Sequence, residues 1–278
     1  MPPDDRPPEP TTPIDRLRQV MRRLRDPASG CPWDVEQSFA SIAPYTIEEA
    51  YEVAEAIQND DMPALKDELG DLLLQVVFHA QMASEAEKFD FDAVAEAIAD
   101  KMIRRHPHVF GDATVDGTAA QSSAWEAQKA VERAAKARAA GIAPSALDGV
   151  TVGLPALTRA LKLQKRAGRV GFDWRDALPI LDKIAEELGE LQAEMAAPTR
   201  DPARLEDELG DLLFACVNLA RHLAVDPETA LRGTNAKFER RFRRVEALLA
   251  VAGQRPEQAG LEAMEALWQQ AKREERGG

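Results

Sequence analysis

The sequence predicts an all-α protein made of two tandem, related helical bundles. Three observations lead there. Aromatic residues make up only 5% of the 278 residues while Ala, Leu and Glu are abundant, a mixture that favours helices over sheets. Apolar residues recur at helical spacing, as in Ile14, Leu17, Val20, Met21 and Leu24, and no stretch carries a convincing strand pattern. The run KDELGDLL at 66–73 returns as EDELGDLL at 206–213, one of several features that recur in the same order.

The elements follow from local signals. Residues 1–13 are rich in Pro and offer nothing apolar to bury, so a disordered tail is expected. A helix follows from about Pro13 to Leu24, and DPASGCPWD (26–34) reads as a turn from its Pro and Gly. Pro44 or Thr46 then opens a helix through Gln58, broken by Asn59, Asp60, Asp61 and Pro63. The next helix, about 63–86, carries the repeated acidic run, and another starts at Asp90 and ends at Pro107. Residues 112–124 are Gly-, Thr- and Ser-rich and read as loop, Trp125 to Ala140 as helix, and 141–153 as a linker. The series then repeats, with a helix at 155–168, the turn GRVGFDW at 168–174, and helices at about 177–196, 202–224, 227–250 and 256–275. The expected organisation is a tail (1–13), an N-terminal domain (14–115), a linker with a helix (116–153) and a C-terminal domain (154–278).

The bulk charge excludes some functions. A net charge of −13 does not fit a duplex DNA binder, which needs a basic face to release phosphate counterions, so no nucleic-acid partner is expected. No apolar run approaches the roughly 18 residues of a membrane span, and MPPDDRPPEPTTP lacks the apolar core of a leader, so a cytoplasmic protein without a membrane partner is expected. Cys31 and Cys216 stand alone and read as reduced thiols, with Cys216 in the core. P-loop, GxGxxG and GxSxG motifs are missing, which removes the usual kinase, dehydrogenase and hydrolase schemes.

The repeated features carry the chemistry. Glu48, Glu49 and Glu52, then Glu68 and Asp71, are matched by Glu186, Glu187 and Glu190, then Glu208 and Asp211. Lys101 and Arg105 match Lys237 and Arg241, and Trp125 and Lys129 match Trp268 and Lys272. Each residue of a helix advances about 100°, so EExxE puts its acids on one side, and ExxD does the same on the next helix. Ile47, Ala50, Val53, Ala54 and Ile57, and on the next helix Leu69, Leu73, Val76 and Ala80, are the expected core stripes. A short loop makes the two helices antiparallel neighbours whose acidic edges face each other. So many carboxylates in one cleft repel unless a cation is bound, and an all-oxygen set suits Mg²⁺ or Mn²⁺, not Zn²⁺. Lys237 and Arg241, one helical turn apart, reach one polyphosphate, while Trp268 offers a stacking surface for a base with Lys272 one turn on.

These residues resemble the MazG family of nucleoside triphosphate pyrophosphohydrolases. The resemblance covers about residues 14–275 and rests on GCPWD, EEAYEV, ELGDLLLQVVFHA, RRHPHVFGD, KLQKRAGRVGFDW, EELGEL, ELGDLLFACVNLARH and KFERRF. It implies the all-α NTP pyrophosphatase fold, similar to dimeric dUTPases, and the reaction NTP + H₂O → NMP + PPi with broad specificity in nucleotide-pool house-cleaning. It further implies a homodimer, Mg²⁺ held by Glu187, Glu190, Glu208 and Asp211, and nucleotide bound by Lys237, Arg241, Trp268 and Lys272. Glu186 is expected to ligate metal or orient water, and Glu48, Glu49, Glu52, Glu68 and Asp71 are the N-terminal counterparts. In two-domain relatives the C-terminal copy is regarded as the main active one. Asn235, where the first copy has Ala99, is expected to add a contact to sugar or phosphate. Two other readings stay open: hydrolysis of the alarmone guanosine tetraphosphate, and a catalytically weak regulatory binding protein.

Overall fold

The computed structural model describes residues 12–114 and 117–277, and among them every regular element is a helix. In chain order these are α1 (Pro13–Leu24), α2 (Pro32–Glu36), α3 (Phe39–Gln58), α4 (Met62–Glu85), α5 (Phe91–Arg105), α6 (Pro107–Phe110), α7 (Gly117–Ala139), α8 (Ala156–Arg169), α9 (Leu178–Ala196), α10 (Pro202–His222), α11 (Pro227–Val251) and α12 (Pro256–Gly277). The all-α expectation therefore holds, and none of these helices is long and apolar enough to cross a membrane. The tail expected at 1–13 lies almost wholly outside the described residues.

Helix starts are written by side-chain caps. Thr12, Asp61, Asp90, Asp201 and Asp226 each accept a hydrogen bond from a backbone N–H of the first turn. Pro occupies an early position after four of them, where its missing N–H costs nothing. Several boundaries differ from the sequence reading. Ser38 and Ser41 form a capping box, so α3 begins at Phe39 and runs through Pro44 instead of opening there. The CPWD stretch, read as part of a turn, starts the short α2, and α7 takes in residues 117–124, read as loop.

The chain divides into two compact units after Trp125. In the first, α4 packs against α1, α3 and α5, around a core of Met21, Ile42, Val77, Phe78 and Met82. Arg25 at the end of α1 closes one side, with its guanidinium 2.7 Å from Glu85 and over the Phe78 ring. In the second unit α10 packs against α8 and α9, and α11 against α8 and α12. Leu161, Ile180, Val217, Val245 and Leu249 are buried there.

The expected core stripes are only partly right. Ala80 is buried, but Leu69, Leu73 and Val76 are exposed, as are Ile47 and Ile57. The buried side of α4 is instead Gln75, Val77, Phe78, Met82 and Ala83 together with Ala80. The helix is apolar on two sides, and periodicity alone does not say which of them meets the rest of the unit. Both cysteines are free as expected, but Cys216 is exposed, not a core thiol, because it lies on the corresponding open side of α10.

Candidate active site

Two antiparallel helix pairs each bring a group of carboxylates together. In the first unit, carboxylate oxygens of Glu49, Glu68 and Asp71 lie within 4.8 Å of one another, and Glu52 adjoins both glutamates. In the second, Glu187, Glu190 and Glu208 meet the same distance, and Asp211 adjoins Glu208. Burial and then the neighbouring acids raise the pKa of Glu49, of Glu68 and of Glu208, the signature of like charges held close. The donors are all carboxylate oxygens, clustered and mutually repelling, which fits a hard divalent cation. Glu48 and Glu186 belong to neither group; Glu186 is turned to Lys183 instead.

The groups differ in one respect that sequence reasoning missed. Glu187 is only 5% exposed, and the ammonium of Lys183 sits 2.7 Å from its carboxylate and 3.0 Å from that of Glu186. These carboxylates raise the pKa of Lys183, which is firmly cationic. In the first unit the residue three before the acid pair is Tyr45, and Glu49 instead accepts a long 3.4 Å hydrogen bond from Gln75.

Glu187, Asp211 and Lys183 border a cavity of about 520 Å³ between α8, α9 and α10. Its far walls are apolar and aromatic, with Phe172, Trp174, Ile180 and Phe214, and carry the amides of Gln164 and Asn218. The GRVGFDW turn forms one wall because it is latched. Asp173 takes a hydrogen bond of 2.7 Å from Arg221 and lies 3.1 Å from the His222 ring, and these partners hold its carboxyl at about 2. The turn folds back on α8 at Gly168, where a Cβ would stand 2.8 Å from the Asp173 carboxylate, and it reverses at Gly171 with φ of 91°. The polar position Gln164, on the buried side of α8, was a signal the sequence offered.

The nucleotide-binding candidates gather elsewhere in the second unit. Arg241 lies over the Trp268 ring, 5.8 Å from its centroid, and is paired with Glu275 at 2.7 Å. Phe238 packs on the same indole at 5.2 Å. Lys237 and Asn235 are exposed along α11 and Lys272 is half-buried on α12; none of these five residues lines the cavity. Their first-unit counterparts are not assembled alike. Trp125 packs near His106, at 6.0 Å between centroids, whereas Lys129, which pairs with Glu126, falls in the second unit. Gly70 and Gly210 do not give room to a neighbour within the chain, because a Cβ at either would meet open space.

The fold and these sites define an all-α protein with duplicated carboxylate clusters facing across helix pairs. The model of the MazG nucleotide pyrophosphohydrolase domain matches twice, over residues 37–110 and 176–245. The chain is 53% identical over 262 residues to the nucleoside triphosphate pyrophosphohydrolase of Escherichia coli, covering 94% of this chain and 98% of that one. It is 44% identical to the nucleoside triphosphate pyrophosphohydrolase/pyrophosphatase MazG of Thermotoga maritima, over 93% and 95% of the two chains. It is 43% identical to the uncharacterized protein YabN of Bacillus subtilis, over 94% of this chain and 52% of that one. The chain belongs to the MazG family, and it is an enzyme of that pyrophosphohydrolase class.

Proposed function

We propose that the protein hydrolyses nucleoside triphosphates to monophosphate and pyrophosphate in a Mg²⁺-dependent reaction of broad specificity. Mn²⁺ is the alternative metal, and the role is clearance of the nucleotide pool in the cytoplasm. The observation that carries this reading is the Glu187, Glu190 and Glu208 cluster, whose member Glu187 lines a cavity of about 520 Å³. Glu187, Glu190, Glu208 and Asp211 would hold the metal, which when bound neutralises phosphate charge and acidifies a water.

The chain's own residues do the rest. Lys183 presents a cation at the junction of acid cluster and cavity, where a triphosphate enters. The water oxygen bonds to the α-phosphorus, the bridging oxygen leaves with pyrophosphate, and Glu186, one of the exposed acids, takes the water's proton. Lys237, Arg241, Lys272, Trp268 and Asn235 bind nucleotide, and Arg241 exchanges Glu275 for phosphate as it does so. Glu49, Glu68 and Asp71, with Glu52 beside them, form the corresponding site of the first unit, which also takes metal, and Glu48 has the part of Glu186 there. The working form is a homodimer. Pyrophosphate release across a panel of nucleotides with Mg²⁺ tests the reading, and undiminished turnover in excess EDTA would sink it.

A further inference from the structure

We propose that Arg133, Arg166 and Arg169 form a second anion site, outside the cavity, that takes a polyphosphate anion such as inorganic pyrophosphate and braces the turn between α7 and α8. All the residues concerned lie in the second unit. Glu126, Lys129 and Arg133 follow one another at three and four positions and so share a face of α7, and Arg166 and Arg169 share a face of α8. The two faces meet, because Glu126 accepts a hydrogen bond of 2.7 Å from Arg169 and one of 3.0 Å from Lys129. Arg133 and Arg166 come together at the turn. Nη1 of Arg166 donates to the Asp148 carbonyl at 3.4 Å, and the stem of Arg133 lies against Gly149, where a Cβ would stand 3.1 Å from its Cδ.

The charges at this cluster do not balance. Lys129, Arg133, Arg166 and Arg169 face only two carboxylates, and both of those are engaged. Glu126 serves Arg169 and Lys129, and Asp148 accepts a hydrogen bond of 2.8 Å from the backbone N–H of Ser145. Among the described residues Arg133 has no hydrogen bond and no ion pair. Burial and then the neighbouring Arg166 push its pKa down, with Arg169 adding to the effect. Arg133 is half-buried, yet none of its nitrogens is sealed from solvent, so an anion can reach them. Like charges held together repel, and a bound anion relieves the repulsion. The surplus stands out against a chain of net charge −13.

The side chains identify the ligand class. A guanidinium is a planar fork that matches two phosphate oxygens at once. Three of them carried on two helices suit an anion with more than one phosphate group. None of these arginines lines the cavity, but the turn they hold does, through Leu147 beside Asp148. Occupation of the cluster therefore steadies a piece of the cavity wall. Pyrophosphate is also what the reaction proposed above releases, so an enzyme of that activity meets this anion at every turnover.

The test is hydrogen exchange of the full chain in EDTA, with inorganic pyrophosphate or with NaCl at the same ionic strength. EDTA keeps metal from the carboxylate clusters, and the exchange map locates the anion. Amides of 145–150 in the wild-type protein are expected to exchange about 10-fold more slowly once pyrophosphate reaches about ten times its Kd, and NaCl should not reproduce this. Arg133→Gln should abolish the protection. Without the anion it is expected to melt no lower than the wild type, as loss of a repelled charge predicts and loss of a structural ion pair does not. ATP in the same experiment separates the sources of the ligand: equal protection assigns the site to any phosphate tail, and protection by pyrophosphate alone assigns it to the free anion. Amides of 145–150 that pyrophosphate leaves unmoved, protection that NaCl matches, or protection that survives Arg133→Gln would overturn the proposal. Absence of triphosphate hydrolysis by the wild-type protein would instead overturn the functional reading and leave the anion site standing.

Discussion

Lys183 places its ammonium 2.7 Å from the buried carboxylate of Glu187, so the second acid cluster carries a cation of its own. The first cluster has Tyr45 at the matching step and no such partner. Removing Lys183 leaves Glu187 in a low-dielectric position without compensation. Lys183→Met is therefore expected to melt at lower temperature than the wild type in EDTA. Mg²⁺ should then stabilise the variant more than the wild type, because the metal supplies the missing charge. Thermal shifts with and without Mg²⁺ check this, and equal Mg²⁺ shifts in the two proteins would count against it.

The acids themselves should divide by unit. Glu208→Gln or Asp211→Asn is expected to reduce pyrophosphate release by on the order of 100-fold or more, by weakening the charge stabilisation on which the reaction depends. Glu68→Gln should cost much less, since the first unit fills its interior with Phe78 and Met82. Equal losses from Glu68→Gln and Glu208→Gln would defeat the asymmetric model.

Phe78 also shows where the sequence was readable and where it was not. The helices were legible because capping Asp and Ser residues and apolar spacing are local, and the acid pairs because their spacing fixes a face. Which face is buried was not, since Leu69, Leu73 and Val76 form as regular a stripe as the buried side of α4. Lys183 was missed although Glu186 and Glu187 lie three and four positions on along α9, within reach of local reading; Asp173 was missed because its partner Arg221, 48 positions on, is fixed only by packing. Gln164 and Asn218 did leave a trace, as polar residues where the helix pattern or the sister copy is apolar.

Acidity should act in two opposite directions. Glu49, Glu68 and Glu208 have raised pKa values in the fold, so in the absence of metal they oppose folding at neutral pH, and that opposition is relieved as pH falls through their raised values to the ordinary carboxylate range. Asp173 is lowered from 3.8 to about 2 by Arg221 first and His222 after it. Its contribution is complete above its unfolded value, then lost as pH falls through the window between 3.8 and about 2. Solvent screening at this exposed residue reduces that contribution to about 1 kcal/mol. Melting in EDTA is thus expected to rise on mild acidification and fall in strong acid, with the acid limb reduced in Asp173→Asn. A wild-type curve that falls steadily from pH 7 would contradict the first half, and an unchanged acid limb in the variant the second.

The last prediction concerns the faces left open. Leu69, Leu73 and Val76 on α4 correspond step for step to Leu209, Leu213 and Cys216 on α10, and all six are exposed. Two units that have otherwise diverged leave the same side of the same helix uncovered. Burying apolar surface contributes about 25 cal/mol per Å², and contiguous apolar patches on isolated chains are usually contact surfaces. A second copy offers an identical patch, which is what a two-fold pairing requires. Light scattering after size exclusion is expected to give twice the chain mass, and Leu73→Glu with Leu213→Glu to give the single chain, since each would bury an unpaired charge in the contact. Cys216 supplies an independent readout: it should react slowly with a thiol reagent in the wild-type dimer and quickly in the double variant. A wild-type protein that runs as a single chain at micromolar concentration, with Cys216 freely reactive, would remove this face as the dimer contact.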